Sequence, residues 1–228
     1  LKGHIVRPGY VTGASNNGAS NTDDFLLRIL KGCIEIGALP EDVDNTTNAV
    51  PVDHVAKIIL STTVTSLLGE DKGIKVAHVT GHPRIKLNDY LDTVNHYGYS
   101  VDKVNYESWK TKLEQYVSDS SNPESALFPL LHMVLGDLKA DTRAPELDDA
   151  NTIEALKYTA KLSGTEFSVN AAGQGLDLKQ WGVYISYLVQ IGFLPKPSAT
   201  NNVPAGEINP ETLKLVLAGA GGRGSAAK

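Results

Sequence analysis

Two tyrosines in this sequence stand four residues ahead of a lysine: Tyr99 with Lys103, and Tyr106 with Lys110. On a helix that spacing puts phenol and ammonium on one face. The ammonium then lowers the phenol pKa, and the tyrosine can pass a proton to a substrate oxygen. The surrounding pattern denies both pairs such a helix. Tyr99 to Tyr106 alternates like a strand, where residues four apart are separated by about 13 Å. Tyr106 and Lys110 fall at a helix start, after the strand-rich part has ended. Both pairs read as coincidences of spacing, and no catalytic residue is assigned within the chain.

Other chemistry-bearing spacings meet simpler readings. Gly219, Gly221 and Gly224 match a glycine fingerprint for dinucleotide phosphates, which needs a strand before the turn and a helix after it. Here a helical stretch precedes the glycines and four residues follow, so the segment reads as a tail. His78 and His82 have the spacing of a helical metal pair, yet they fall at a strand end and in a Gly-His-Pro turn, so no metal site is assigned. Cys33 lies at an apolar helical position and reads as a buried thiol. Pro8 to Gly13 is the stronger signal. Gly3-His4-Ile5-Val6-Arg7 reads as a buried strand that ends in Pro8-Gly9-Tyr10-Val11-Thr12-Gly13. In open α/β sheets ligands bind beyond the carboxyl ends of strands. Pro8 stiffens that turn, and Gly9 lets the backbone come close to a flat ligand.

The elements around these residues follow from periodicity. A polar loop, 14–21, is too small and polar to enter a core. A helix is expected from about Thr22, capped by Asn21 or Thr22, with Leu26, Ile29, Leu30, Cys33 and Ile34 on one face and Gly37 closing it. Residues 48–52 read as extended, and Asp53 caps or begins a helix carrying Val55, Ile58 and Ile59. Residues 75–80 read as a strand, 87–97 as a helix and 99–106 as a strand. Helices are expected at 107–118, 125–136, 149–162, 177–191 and 210–218. The fold class is therefore α/β: the C-terminal part of a Rossmann-like parallel sheet, residues 1–106, followed by a mainly helical subdomain, 107–205, and a short helix with a tail, 206–228.

The bulk numbers limit the partners. The chain has 228 residues, 41% of them apolar, and a net charge of −5. That is enough apolar material for a core, and it supplies no general attraction for nucleic acid or an anionic membrane. No apolar run reaches the roughly 20 residues that cross a bilayer. One cysteine cannot form an internal disulfide, which fits a cytoplasmic setting.

The segments Val6-Arg7-Pro8-Gly9-Tyr10-Val11-Thr12-Gly13, Asn21-Thr22-Asp23-Asp24-Phe25-Leu26-Leu27-Arg28, Val50-Pro51-Val52-Asp53-His54-Val55-Ala56 and Val76-Ala77-His78-Val79-Thr80-Gly81 resemble, in order, the extended short-chain dehydrogenase family. Within it they resemble thioester reductase domains that end multidomain carrier-protein enzymes. Leu130-Leu131-His132-Met133-Val134-Leu135, Ala144-Pro145-Glu146-Leu147-Asp148-Asp149 and the Gly219 to Gly224 tail narrow this to the fungal-type branch that reduces 2-aminoadipate in lysine biosynthesis. The resemblance implies NADPH as cofactor and a phosphopantetheine arm, on a carrier domain, holding the thioester. It implies that Pro8, Gly9, Tyr10 and Val11 line the nicotinamide end, and that Thr12, Asn21 and Asp24 border the substrate. The helical region should face the carrier domain. The family's glycine-rich loop, its Ser/Thr and its Tyr-x-x-x-Lys helix precede the Arg-Pro-Gly strand, so the chain is expected to be a C-terminal part, incomplete without the upstream part of the reductase. Two other readings are a non-catalytic carrier-docking module, with Lys110, Lys112, Lys139 and Arg143 as a basic face, and a nucleotide-sugar epimerase relative. The strands near 4–7 and 75–80 should be neighbours, with an apolar edge exposed.

Overall fold

A computed structural model of the chain describes residues 1–43, 45–70, 72–118, 145–168, 173, 175–199, 209–211 and 214. The expected helix at 125–136, most of 210–218, the tail glycines, Lys139 and Arg143 lie outside the described residues. The elements run β1 (Lys2–Pro8), β2 (Tyr10–Thr12), α1 (Phe25–Ile36), β3 (Ala38–Pro40), β4 (Thr46–Thr47), β5 (Ala49–Pro51) and α2 (Val52–Leu68). They continue with β6 (Gly73–Val79), β7 (Ile85–Lys86), α3 (Leu87–His96), β8 (Asp102–Val104), α4 (Tyr106–Ser118), α5 (Ala150–Ser163) and α6 (Leu178–Gln190).

These elements form two compact units, each of which draws on residues from both sides of position 106. The first comprises Leu1–Ser15, Thr46–Ile85 and Arg143–Asp177. Its strands pair in parallel: β1 with β6, in a register that sets Val6 opposite Ala77 and Pro8 opposite Val79, and β2 with β5, with Val11 opposite Val50. The expected neighbourhood of residues 4–7 and 75–80 is thus met. Helices α2 and α5 pack on each other and on these strands. Val50, Val55, Ile58, Val79 and Leu156 are buried together, with Val6, Val11, Ile153 and Phe167 against them. The opening strand is not buried as expected: no residue of β1 is fully buried, and alternation turns Val6 to this core and leaves Ile5 at 52% exposure.

The second unit comprises Asn16–Asn45, Lys86–Thr142 and Leu178–Lys228. Here β3 pairs in parallel with β8. Helix α1 starts at Phe25, three residues later than expected, because Asp24 and not Asn21 or Thr22 is the N-cap. Its extended backbone lets its carboxylate accept from the Leu26 N–H at 2.8 Å. Gly37, left-handed at φ 66°, ends the helix. Leu26, Ile29, Leu30 and Cys33 are buried, as the spacing requires. The Trp181 ring of α6 lies tilted against Tyr90 of α3, with centroids 4.3 Å apart, and the Tyr90 hydroxyl donates to the Leu26 carbonyl.

Three expectations need correction. The loop at 14–21 does reach a core: Gly18 is buried, and a side chain there would strike Val183 and Tyr187 of α6. The strand expected at 99–106 is cut to Asp102–Val104, because Tyr99 leaves the ladder to donate its hydroxyl to the Pro195 carbonyl. β2 and β3 stand where no strand is expected, being too short at three residues to show a period.

Ile58 is wholly buried, whereas its neighbour Ile59 is 48% exposed. Ile58→Ala should therefore cost about 3 kcal/mol in a denaturant melt. Ile59→Ala should cost less than about 1 kcal/mol. Equal losses would place the core of α2 elsewhere.

Candidate functional site

The carboxyl end of β1 turns on a single residue, Gly9. Its N–H donates to the Val79 carbonyl at 3.3 Å and extends the β1–β6 ladder. The next N–H, of Tyr10, donates to the Asn48 carbonyl at 2.7 Å and opens the β2–β5 ladder. The chain thus changes partner strand within one residue. A side chain at position 9 would collide with the Asn48 backbone and amide. The close approach that calls for glycine is therefore to Asn48, where the sequence had suggested a ligand.

Asn48 holds this corner together. Buried at 8% exposure, it donates from Nδ2 to the Val79 carbonyl at 3.2 Å and accepts at Oδ1 from the Gly81 N–H at 2.6 Å. Gly81 is also crowded, since a Cβ there would stand 2.5 Å from the Ala49 carbonyl oxygen. Sequence reasoning misses Asn48. Its signal is a polar residue directly ahead of the apolar, extended Ala49-Val50-Pro51 run, which must carry its own hydrogen-bond partners inside.

Around that corner Pro8 and Tyr10 are exposed, Tyr10 at 42%, while Val11 packs toward the core. Thr12 donates its hydroxyl to the Val50 carbonyl at 3.1 Å. Beyond it, Ser15 donates its N–H and its hydroxyl to the two carboxylate oxygens of Asp53, at 2.8 and 2.7 Å. Asp53 therefore does not cap α2. Pro51 occupies that position, and the Asp53 carboxylate in the first turn fastens the loop after β2. Partial burial works to raise its pKa, but the Ser15 donors, its own N–H and His54 outweigh that and hold it below 3.8.

Asn21 and Asp24 belong to the second unit. Asn21 accepts at Oδ1 from the Asp23 N–H at 3.0 Å, and Asp24 caps α1. Burial raises the Asp24 carboxyl above 3.8 against the lowering pull of the Leu26 and Leu27 N–H groups. The two Tyr/Lys pairs form no dyad. Lys103 is bonded to Asp92 at 2.6 Å, and burial pushes the Tyr99 phenol up to about 12. Burial, then Glu107, raise Tyr106 as well, opposite to what lysine assistance would do. Cys33 is fully buried, and that burial lifts its thiol to about 12 despite a contact with Trp109. His78 lies against the Asp148 carbonyl and His82 against Thr80; among the described residues no group of three His, Cys, Asp or Glu side chains could hold a metal.

Residues 1–59 match the family model described as male sterility protein, an NAD-binding family. The chain is 48% identical, over its whole length, to L-2-aminoadipate reductase of Saccharomyces cerevisiae, and spans 16% of that relative. The terminal reductase domain of the myxalamid biosynthetic pathway shares 30% identity and a TM-score of 0.67, over 85% of this chain and 45% of its own. A thiolation-reductase di-domain from an archaeal non-ribosomal peptide synthetase shares the fold at a TM-score of 0.58 and 20% identity, over 83% of this chain and 36% of its own. The fold is thus the Rossmann-like α/β fold of these reductase domains.

Asn48→Ala orphans the buried Gly81 N–H and should cost about 1–3 kcal/mol. A denaturant melt unchanged by it would refute the bridging role. The Ser15–Asp53 contact has a pH sign. Because the folded carboxyl titrates below its ordinary 3.8, its stabilisation is present above that pH and is lost as pH falls through the lower folded value. The acid limb of a pH–stability curve should flatten in Asp53→Asn; an unchanged limb would exclude the contact as its source.

Proposed function

The chain belongs to the extended short-chain dehydrogenase family, on its L-2-aminoadipate reductase branch, and from this we propose that it is the C-terminal part of an NADPH-dependent thioester reductase. The reaction proposed is release of 2-aminoadipate semialdehyde from a phosphopantetheine-bound thioester in lysine biosynthesis. The observation that carries the reading is the 48% identity along the entire chain, with the Gly9 strand switch lying inside the segment that matches an NAD-binding family.

The residues present fit a nicotinamide ring. Pro8 and Tyr10 flank Gly9 with exposed, largely apolar surfaces at the carboxyl ends of parallel strands, and Val11 backs them from the core side. When bound, NADPH supplies the hydride. The chain's own part is to offer Pro8, Gly9, Tyr10 and Val11 as one wall for the ring, held in place by Asn48. Thr12 is proposed for the substrate side. Asn21 and Asp24 enter as the residues that shape the approach to α1, since backbone N–H groups already engage their side-chain oxygens.

Phosphate binding and proton donation are proposed for the upstream part of the reductase, so the chain acts as one portion of a larger site. A carrier domain is the second proposed partner, approached by residues 107–205, which the sequence reads as mainly helical. Support comes from the archaeal structural neighbour, in which a thiolation domain is joined to the reductase domain. A cytoplasmic location is proposed from the lone, buried Cys33. No described helix is long and apolar enough to cross a membrane.

Joined to its upstream part and given NADPH with a 2-aminoadipyl-pantetheine thioester, the chain should support NADPH oxidation and aldehyde release. By itself it should not. Aldehyde from neither preparation overturns the reaction, and full turnover by the isolated chain overturns its dependence on the upstream part. In the joined protein Tyr10→Ala should raise the KM for NADPH several-fold, and an unchanged KM would remove Tyr10 from the wall.

A further inference from the structure

Just past the end of β6, three side chains meet in an arrangement that the proposed hydride chemistry does not use. Thr80, 1% exposed, donates its hydroxyl to Asp149 Oδ2 at 2.8 Å. The same hydroxyl oxygen lies 3.1 Å from His82 Nε2, and His82 Nε2 lies 3.6 Å from Asp149 Oδ2. Gly81, between Thr80 and His82, is the residue that Asn48 ties to the Gly9 corner. The cluster is therefore fixed to the same strand ends as the proposed nicotinamide wall.

Two features set it apart from ordinary surface polarity. Asp149 occupies the N-cap position of α5, where an aspartate normally accepts from its own helix's first N–H groups. It makes no such bond and turns instead to Thr80. His82 is clamped through its backbone: its N–H donates to the Gly173 carbonyl at 2.7 Å and its carbonyl accepts from the Gly175 N–H at 2.9 Å. A Cβ at position 173 would stand 2.6 Å from the imidazole Cδ2, so the glycine leaves that ring its place. The imidazole itself remains 60% exposed.

Proton accounting gives the cluster a sign. Thr80 has one hydroxyl proton, and it goes to Asp149, so its oxygen accepts from His82 Nε2–H. In neutral His82 the proton on Nε2 leaves Nδ1 an acceptor. Among the described residues neither Nδ1 nor Asp149 Oδ1 makes a hydrogen bond. Nδ1 points away from Nε2 and so away from Asp149, which leaves Asp149 Oδ1 as the acceptor on this side; an anionic acceptor suits a primary ammonium, which has three donors and no acceptor.

We infer that Asp149, set by Thr80 and His82, forms the subsite that binds the 2-ammonium group of an amino-acyl thioester. This rests on the thioester reductase reading above. Thr80 and His82 are positioning residues, and Asp149 is the specificity residue.

The test uses the full-length enzyme that contains this chain, with 2-aminoadipyl-pantetheine and adipyl-pantetheine thioesters, which differ only in the amine. The wild type should prefer the amine-bearing thioester in kcat/KM. Asp149→Asn, which keeps an acceptor for Thr80, should lower kcat/KM for that thioester at least tenfold more than for the adipyl one. His82→Gln, at an exposed side chain, should act in the same direction. Equal losses on both thioesters, or no loss on either, overturn the inference. So does a wild type that reduces both equally well, and that result leaves the reductase reading standing. A wild type that reduces neither overturns both.

Discussion

The amide of Asn48 is the interaction on which the rest of the described site hangs. Parallel strands end in N–H and carbonyl groups with no further ladder to join, and buried groups of that kind need partners. Here β1 and β6 stop together, β2 starts at once on another partner, and the chain after β6 turns away at Gly81. One side chain answers this by bonding Val79 on one side and Gly81 on the other. The backbone of the same residue receives the Tyr10 N–H. The exposed pair Pro8 and Tyr10 and the cluster at Thr80 both take their positions from this single buried amide.

Much of the frame was legible in the sequence. Long, strongly patterned pieces gave themselves away: the strand at 3–7 running into Pro8-Gly9, the β-branched run 75–80, and α1, α3, α5 and α6, whose apolar positions recur at helical spacing and end at glycine or polar residues. The parallel pairing of β1 with β6 also followed from that order. What stayed hidden was short or rested on contacts distant in sequence. β2 and β3 are three residues each, too brief for periodicity to register. Gly18 looked like solvent loop because the groups that bury it, Val183 and Tyr187, lie more than 160 positions away.

The candidate site was legible only in part, and for the same reason. Pro8 to Val11 could be picked out because proline and glycine at a strand end carry their meaning locally. Asp53 was expected on local grounds to cap or begin its helix, whereas the structure gives its carboxylate to Ser15, 38 residues back. Asp149 follows the same rule: the local expectation for an aspartate at a helix start loses to a distant hydroxyl. In both cases a carboxylate had more than one donor within reach, and only the tertiary arrangement decides between them.

The strand switch at Gly9 has a bearing on how this corner can vary. Gly9 is small because Asn48 lies over it, Gly81 is small because Ala49 lies over it, and Asn48 must be an amide because it serves a carbonyl and an N–H at once. None of the three can be exchanged without stranding or striking another. The positions should therefore be strongly non-additive in combination. Drift through sequence space at this corner is collective: the three residues change together or stay as they are, and the geometry of the wall is inherited as a block.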